Sequence, residues 1–170
     1  MTLLEVITVI VIIGILASML VPIQSSLTAN AQEASCLANL RGLYVAAQGY
    51  LQASGSWPQI SPNLIVDDPK TYAHSWVDAL EKYGAPHKAW ICPAVQRSLG
   101  ISMDAIDDPD NYRIDFIAAP FDDNPATPRL NPTQAWFVEK AGLHPRGNLV
   151  ILANGTLTSL KDIVQAGLGN

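Results

Sequence analysis

The chain has 170 residues, enough for one core-forming domain with or without an extension, and its formal net charge is −5. That acidity, with ten Lys and Arg scattered singly, excludes a nucleic-acid binder with a basic face and a polybasic membrane patch. Hydrophobic residues make up 49%, and a large share of them falls in the first 23 positions.

That first stretch, MTLLEVITVIVIIGILASMLVPIQ, holds one charge, Glu5, and the next does not come until Glu33. Residues 6–21 are uncharged and strongly apolar. With their flanks they give about 23 residues, roughly 35 Å as a helix, enough to cross a bilayer core. A secretory signal peptide would show a cationic start and a small-residue cleavage site, and this stretch has an acid at position 5 instead. Two readings remain: a plain membrane anchor, and a membrane helix that later enters a protein assembly. A carboxylate buried without a partner is costly, so Glu5 favours the second.

Thr2-Leu3-Leu4-Glu5, together with Gly14 and Pro22, resembles the mature N-terminus of type IV pilins and type II secretion pseudopilins over about 24 residues. Met1 stands where that family most often has Phe. The resemblance implies cleavage by a prepilin peptidase just before Met1 and N-methylation of the Met1 amine. It also implies a homo-oligomeric helical filament built by an inner-membrane pilus or secretion machinery. In a filament core, the α-amine of Met1 would meet Glu5 of a neighbouring subunit; the pair would neutralise both charges and set the axial register. Proline inside a helix removes one backbone bond and clashes with the preceding turn, at about 3 kcal/mol. Partial unwinding between Gly14 and Pro22 is therefore expected, with a simple kink as the alternative.

Beyond Pro22 the pattern becomes one-sided. Leu37, Leu40, Tyr44, Ala47 and Leu51 recur at spacings of 3 and 4, the signature of an amphipathic helix. One helix is predicted from Thr2 to Ala53, closed by Ser54-Gly55. Residues 56–70 read as turn-rich, and SWVDALEKYG as a short helix capped by Ser75. Strands are predicted at 89–92, 112–119 and 134–139. NLVILANGTLTSL reads as two strands joined by Asn154-Gly155 in a type I′ turn, followed by a terminal helix capped by Ser159. The resulting fold class is α+β: a long N-terminal helix packed on a small antiparallel sheet, which is also the pilin-like shape. Three segments follow: 1–23 as the hydrophobic membrane or filament-core helix, 24–54 as the amphipathic half that packs on the head, and 55–170 as the α+β head.

A second resemblance covers most of the chain. CLANLRGLYVAAQGYLQASGSWP, SWVDALEKYG and AWICP are similar to bacterial pilin-like proteins that end in an H-x9-DG motif. Here His144 is followed at that spacing by Asn154-Gly155, with Asn in place of the motif's Asp. The turn tolerates either residue, but a cation role for that Asp does not carry over.

Other chemistry is sparse. Cys36 and Cys92 are two buried thiols if the chain stays in a reducing compartment, or one disulfide if it is exported. No CxxC or Cys/His metal spacing is present, and no cofactor is expected. Acids at Asp104, Asp107, Asp108 and Asp110, and at Asp122 and Asp123, leave calcium as a minor option, with Asp108 and Asp110 the candidate ligands. His74, His87 and His144 are far apart in sequence, and no nucleophile, zincin or phosphate-loop motif appears, so no enzyme is expected. Trp57, Trp76, Trp90 and Trp136 are assigned to core packing ahead of a stacking surface. Asn154-Gly155-Thr156 fits a glycosylation sequon but is read as a turn. The function these observations imply is structural: a pilus-like filament subunit at the inner membrane before assembly and at the cell surface after it. The major pseudopilin of a type II secretion system and a non-polymerising membrane-anchored binding domain are the alternatives.

Overall fold

The computed structural model describes residues 2–121 and 133–168, without side-chain detail at 18–26 and 168. Met1, Asp122 and Asp123 lie outside it. Helix α1 (Leu3–Ser54) ends where Gly55 turns left-handed at φ 76° and donates its N–H to the Leu51 carbonyl. Then come α2 (Leu64–Asp67), α3 (Pro69–Glu81), a 3-10 turn (His87–Trp90), α4 (Pro93–Leu99) and a second 3-10 turn (Met103–Ala105). Strands β1 (Phe116–Ala118), β2 (Ala135–Glu139), β3 (Leu149–Leu152) and β4 (Leu157–Ser159) precede α5 (Leu160–Leu168). The strands form one antiparallel meander in the order β1-β2-β3-β4, so the chain is α+β.

From Cys36 onward α1 has a buried stripe. Cys36, Leu40, Leu43 and Ala47 are its centre, and the predicted Leu37, Tyr44 and Leu51 flank it as half-buried positions. They share a core with Trp76 and Leu80 of α3, Phe137 of β2, and Leu149 and Ile151 of β3. All four tryptophans are at most 1% exposed, so they are core residues and not a stacking surface. Trp57 is central among them, with ring centroids 5.0 Å from Trp136 and Phe121 and 5.8 Å from Trp76. Its indole N–H donates to the Ala119 carbonyl at 3.0 Å.

Several elements differ from the sequence reading, each for a local reason. Helix α3 starts at Pro69, not Ser75. The Asp68 side chain caps it by accepting the Thr71 N–H at 3.1 Å and the Thr71 hydroxyl at 2.6 Å, and Pro69 takes the first helical position. The strand expected at 89–92 is a 3-10 turn, because Pro86 sets its start and Pro93 opens α4. Only Ile91 and Cys92 between them are extended. Strand β1 is confined to three residues, since Tyr112 and Arg113 are held by side-chain contacts described below.

In β2 the register against β3 shifts between Ala135 and Phe137, so a bulge at Trp136 turns two successive aromatics into the core. Strict alternation would have sent one of them to the opposite face. The β3–β4 turn is not type I′. Among the described residues no non-glycine has positive φ, so Asn154 does not supply the first left-handed position. Instead Gly155 (φ 81°) donates to the Leu152 carbonyl at 2.8 Å, and Leu152 donates to Thr156 at 2.9 Å, which is a three-residue loop with glycine at its left-handed position. The turn lies against α1: the Tyr44 hydroxyl donates to the Ala153 carbonyl at 3.1 Å, and a Cβ on Gly155 would stand 3.3 Å from the Tyr44 ring.

Two tests follow from this geometry. Gly155→Ala combines left-handed strain with crowding on Tyr44, and urea unfolding of the full chain in detergent, read by tryptophan fluorescence, should show a loss of about 1–3 kcal/mol. The second test concerns Asp68, whose carboxyl is held below the ordinary value of 3.8 by the Thr71 hydroxyl and N–H. Its contribution is therefore complete above pH 3.8 and lost as pH falls through the depressed folded value. The gap in urea midpoint between wild type and Asp68→Ala should be open at neutral pH and close in acid.

Candidate functional site

The N-terminal residues singled out from the sequence have a local job in the single chain. Thr2 is the N-cap of α1 in extended conformation (φ −86°, ψ 152°), and its N–H donates to Glu5 Oε2 at 3.4 Å. Thr2-x-x-Glu5 is a capping box, a signal the sequence carried and the assembly reading passed over. In the single chain Glu5 is exposed and accepts this bond. The Thr8 hydroxyl is likewise satisfied, donating to the Leu4 carbonyl at 2.8 Å.

Around these polar groups the helix is bare. Leu3 is 81% exposed, and Ile7, Ile10, Ile13 and Leu16 are all more than half exposed. The expected unwinding between Gly14 and Pro22 is not found, since α1 is continuous from Leu3 to Ser54. Proline deletes a single backbone bond, and the helix continues on both sides of it. Among the described residues no helix is long and apolar enough to cross a membrane, and the predicted crossing segment runs on through positions 18–23, where side chains are not described.

A second group of residues converges inside the head. Cys36 on α1 and Cys92, just ahead of α4, form a disulfide with Cα atoms 5.2 Å apart. Beside it stand Glu139, the last residue of β2, and His144 in the loop that follows. The four ligand-bearing atoms all lie within 4.8 Å of one another, and all four residues are buried. His144 Nε2 is 3.4 Å from Cys92 Sγ and 3.1 Å from Glu139 Oε1. Glu139 Oε2 accepts the Leu149 N–H at 3.2 Å, whereas Oε1 makes an ion-pair contact with His144 but no aligned hydrogen bond. Burial pushes the Glu139 carboxyl above its ordinary range, against the opposing pull of the Leu149 N–H and His144. Glu139 was not singled out from the sequence. The signal was its spacing from Phe137, since residues two apart on a strand share a face.

The neighbouring contacts fix the Cys92 segment. Asp115 Oδ2 accepts the Cys92 N–H at 2.8 Å, Asp115 Oδ1 accepts Arg113 Nε at 3.0 Å, and Arg113 Nη2 donates to Gln96 Oε1 at 2.7 Å. Asn39 on α1 reaches across to the Ile91 carbonyl at 2.8 Å. Further out, Tyr112 is stacked between His74 and His87, with ring centroids 3.7 and 4.0 Å away. Both ring nitrogens of His87 face acceptors, Asp107 at 2.6 Å and the Arg113 carbonyl at 2.7 Å. The proposed calcium ligands do not converge. Asp108 Oδ1 accepts the Asp110 N–H in a local turn, Asp107 is taken by His87, and no group of three acids gathers there among the described residues.

Comparison of the chain with protein-family models, with curated proteins and with solved structures returns no match.

Asp115 is 3% exposed and serves three donors on two segments. Asp115→Asn leaves the Arg113 guanidinium without its counter-ion and should cost about 2–4 kcal/mol in urea unfolding.

Proposed function

We propose that this chain is a structural subunit of a bacterial type IV pilus-like extracellular filament, with a pilin-like α+β fold, polymerising through its N-terminal helix. The observation that carries the reading is the contrast within α1. One face of it sinks into the head from Cys36 onward, while Leu3, Leu4, Ile7, Ile10, Val11, Ile12, Ile13 and Leu16, which together surround the helix, are all more than half exposed. A helix apolar all round needs a solvent of its own kind. Lipid serves before assembly, in a single-pass inner-membrane form, and the helices of other subunits serve afterwards in the filament core. A prepilin peptidase and an inner-membrane assembly machinery are the implied partners.

In this reading Glu5 exchanges one donor for a stronger one. Before assembly it holds the Thr2 N–H of its own chain. After assembly it receives the Met1 amine of the neighbouring subunit, a charge-assisted contact in a dry environment. The same chemistry serves a secretion pseudopilus, which differs in the machine it serves. The capping role gives the non-polymerising anchor specific support, because Glu5 is satisfied without a neighbour.

Substitution of Glu5 separates these readings. Filaments sheared from the producing cells should be thin uniform fibres containing this chain, by electron microscopy and mass spectrometry. Glu5→Ala should abolish incorporation while the head keeps its disulfide and near-ultraviolet tryptophan signal. Surface display without fibres, unchanged by the substitution, would establish the anchor instead.

A further inference from the structure

The Cys36–Cys92 bridge has two further metal-ligating groups against it, and neither is needed for a disulfide. One of them, Glu139, is 1% exposed, and its Oε1 makes no aligned hydrogen bond but faces His144 Nε2 at 3.1 Å, so two buried metal-ligating atoms converge beside the two sulfurs, all four within 4.8 Å of one another. We propose that Cys36, Cys92, Glu139 and His144 are a redox-gated site for a zinc-class divalent cation, closed when the cysteines are bonded and open when they are reduced.

The donor set is two thiolates, one imidazole and one carboxylate, a combination that suits tetrahedral zinc and not a hard cation such as calcium. In a tetrahedral site with typical bond lengths, nitrogen and oxygen donors stand about 3.3 Å apart and sulfur donors about 3.8 Å apart. His144 Nε2 already lies 3.1 Å from Glu139 Oε1 and 3.4 Å from Cys92 Sγ. Breaking the sulfur–sulfur bond lets the two sulfurs move apart to the remaining distance. The four ligands come from α1, the Cys92 segment, β2 and the following loop, so an ion there would hold the same elements that the disulfide holds.

The chemistry balances. A dithiol reductant delivers two electrons and two protons to the cystine, giving two thiols and the reductant's own cyclic disulfide. Binding of the cation displaces the two thiol protons and forms two metal–sulfur bonds, with His144 Nε2 and Glu139 Oε1 completing the shell. A small-molecule disulfide reverses the change: it takes two electrons from the thiolates, is reduced to two thiolates, and the cation leaves as the Cys36–Cys92 bond forms. This inference is independent of filament assembly.

The test uses the full chain in detergent, reduced anaerobically with a water-soluble phosphine and titrated with Co2+, then with Zn2+. One Co2+ per chain should bind with a thiolate-to-metal charge-transfer band, and Zn2+ should bleach it; the oxidised chain should show no band. Glu139→Gln and His144→Ala should each weaken Co2+ binding by about tenfold or more. Near-ultraviolet circular dichroism of the buried tryptophans reports folding in each sample. A reduced chain that is folded but shows no charge-transfer band would overturn the proposal, as would a reduced chain that is unfolded and not restored by Zn2+. Equal affinity in wild type and both variants would also overturn it, by placing the metal on the cysteines alone.

Discussion

The attachment of α1 to the segment around Cys92 is the constraint on which the rest of the head depends. The Cys36–Cys92 bond closes a loop spanning 56 positions, and a loop of that size contributes about 4 kcal/mol of chain entropy. Its setting is as important as the bond. Asn39, one helical turn further on, fixes the Ile91 carbonyl, and Asp115 fixes the Cys92 N–H from the other side. Backbone bonds from Asp115 to Trp90 and from Lys140 to Asp115 then carry the same alignment into β1 and β2. Through these contacts one face of α1, the 3-10 turn, α4 and the sheet are placed by a single junction, and the tryptophan cluster fills the space that they enclose.

The sequence was most informative where one local rule acts alone. The long helix and its glycine stop, β2, the β3–β4 hairpin and the Ser159 cap, where Ser159 Oγ accepts the Asp162 N–H, were all legible at nearly the right residues. Errors arose where two local rules competed. Thr2-x-x-Glu5 is a capping box that lies within the stretch resembling a pilin N-terminus, and the resemblance obscured the cap. Asp68-Pro69 is a helix start, but it lies in a stretch whose prolines and serines read as turns. The hairpin's Asn-Gly pair fits two turn types, and pairing of Leu152 with Thr156 selected the longer one.

The buried cluster was legible only in part, because its members do not share a local pattern. Positions 36, 92, 139 and 144 have none of the short spacings that mark a metal site, and only the fold brings them together. His144 entered the sequence reading as one end of an H-x9-NG pair, which in the structure consists of a buried imidazole and a turn whose Asn154 is exposed while Gly155 lies against Tyr44. Glu139 is inside because it follows Phe137 by two positions on a strand, after the bulge at Trp136 has reset the alternation. A tertiary irregularity thus decided which acid was buried.

The position of Cys36 along α1 has a mechanical consequence. Among the described side chains it is the first fully buried residue of α1, one turn beyond Gln32 and Glu33, whose side chains reach the Pro93 carbonyl and Arg146. Tension applied along α1 from its N-terminal end reaches this covalent link before it reaches the Leu40–Leu51 contacts beyond. Those contacts are thereby spared peeling one at a time from their weakest end, and force is passed sideways through Cys92 into α4 and the sheet. The head behaves as a bolted joint with the bolt at the loaded edge.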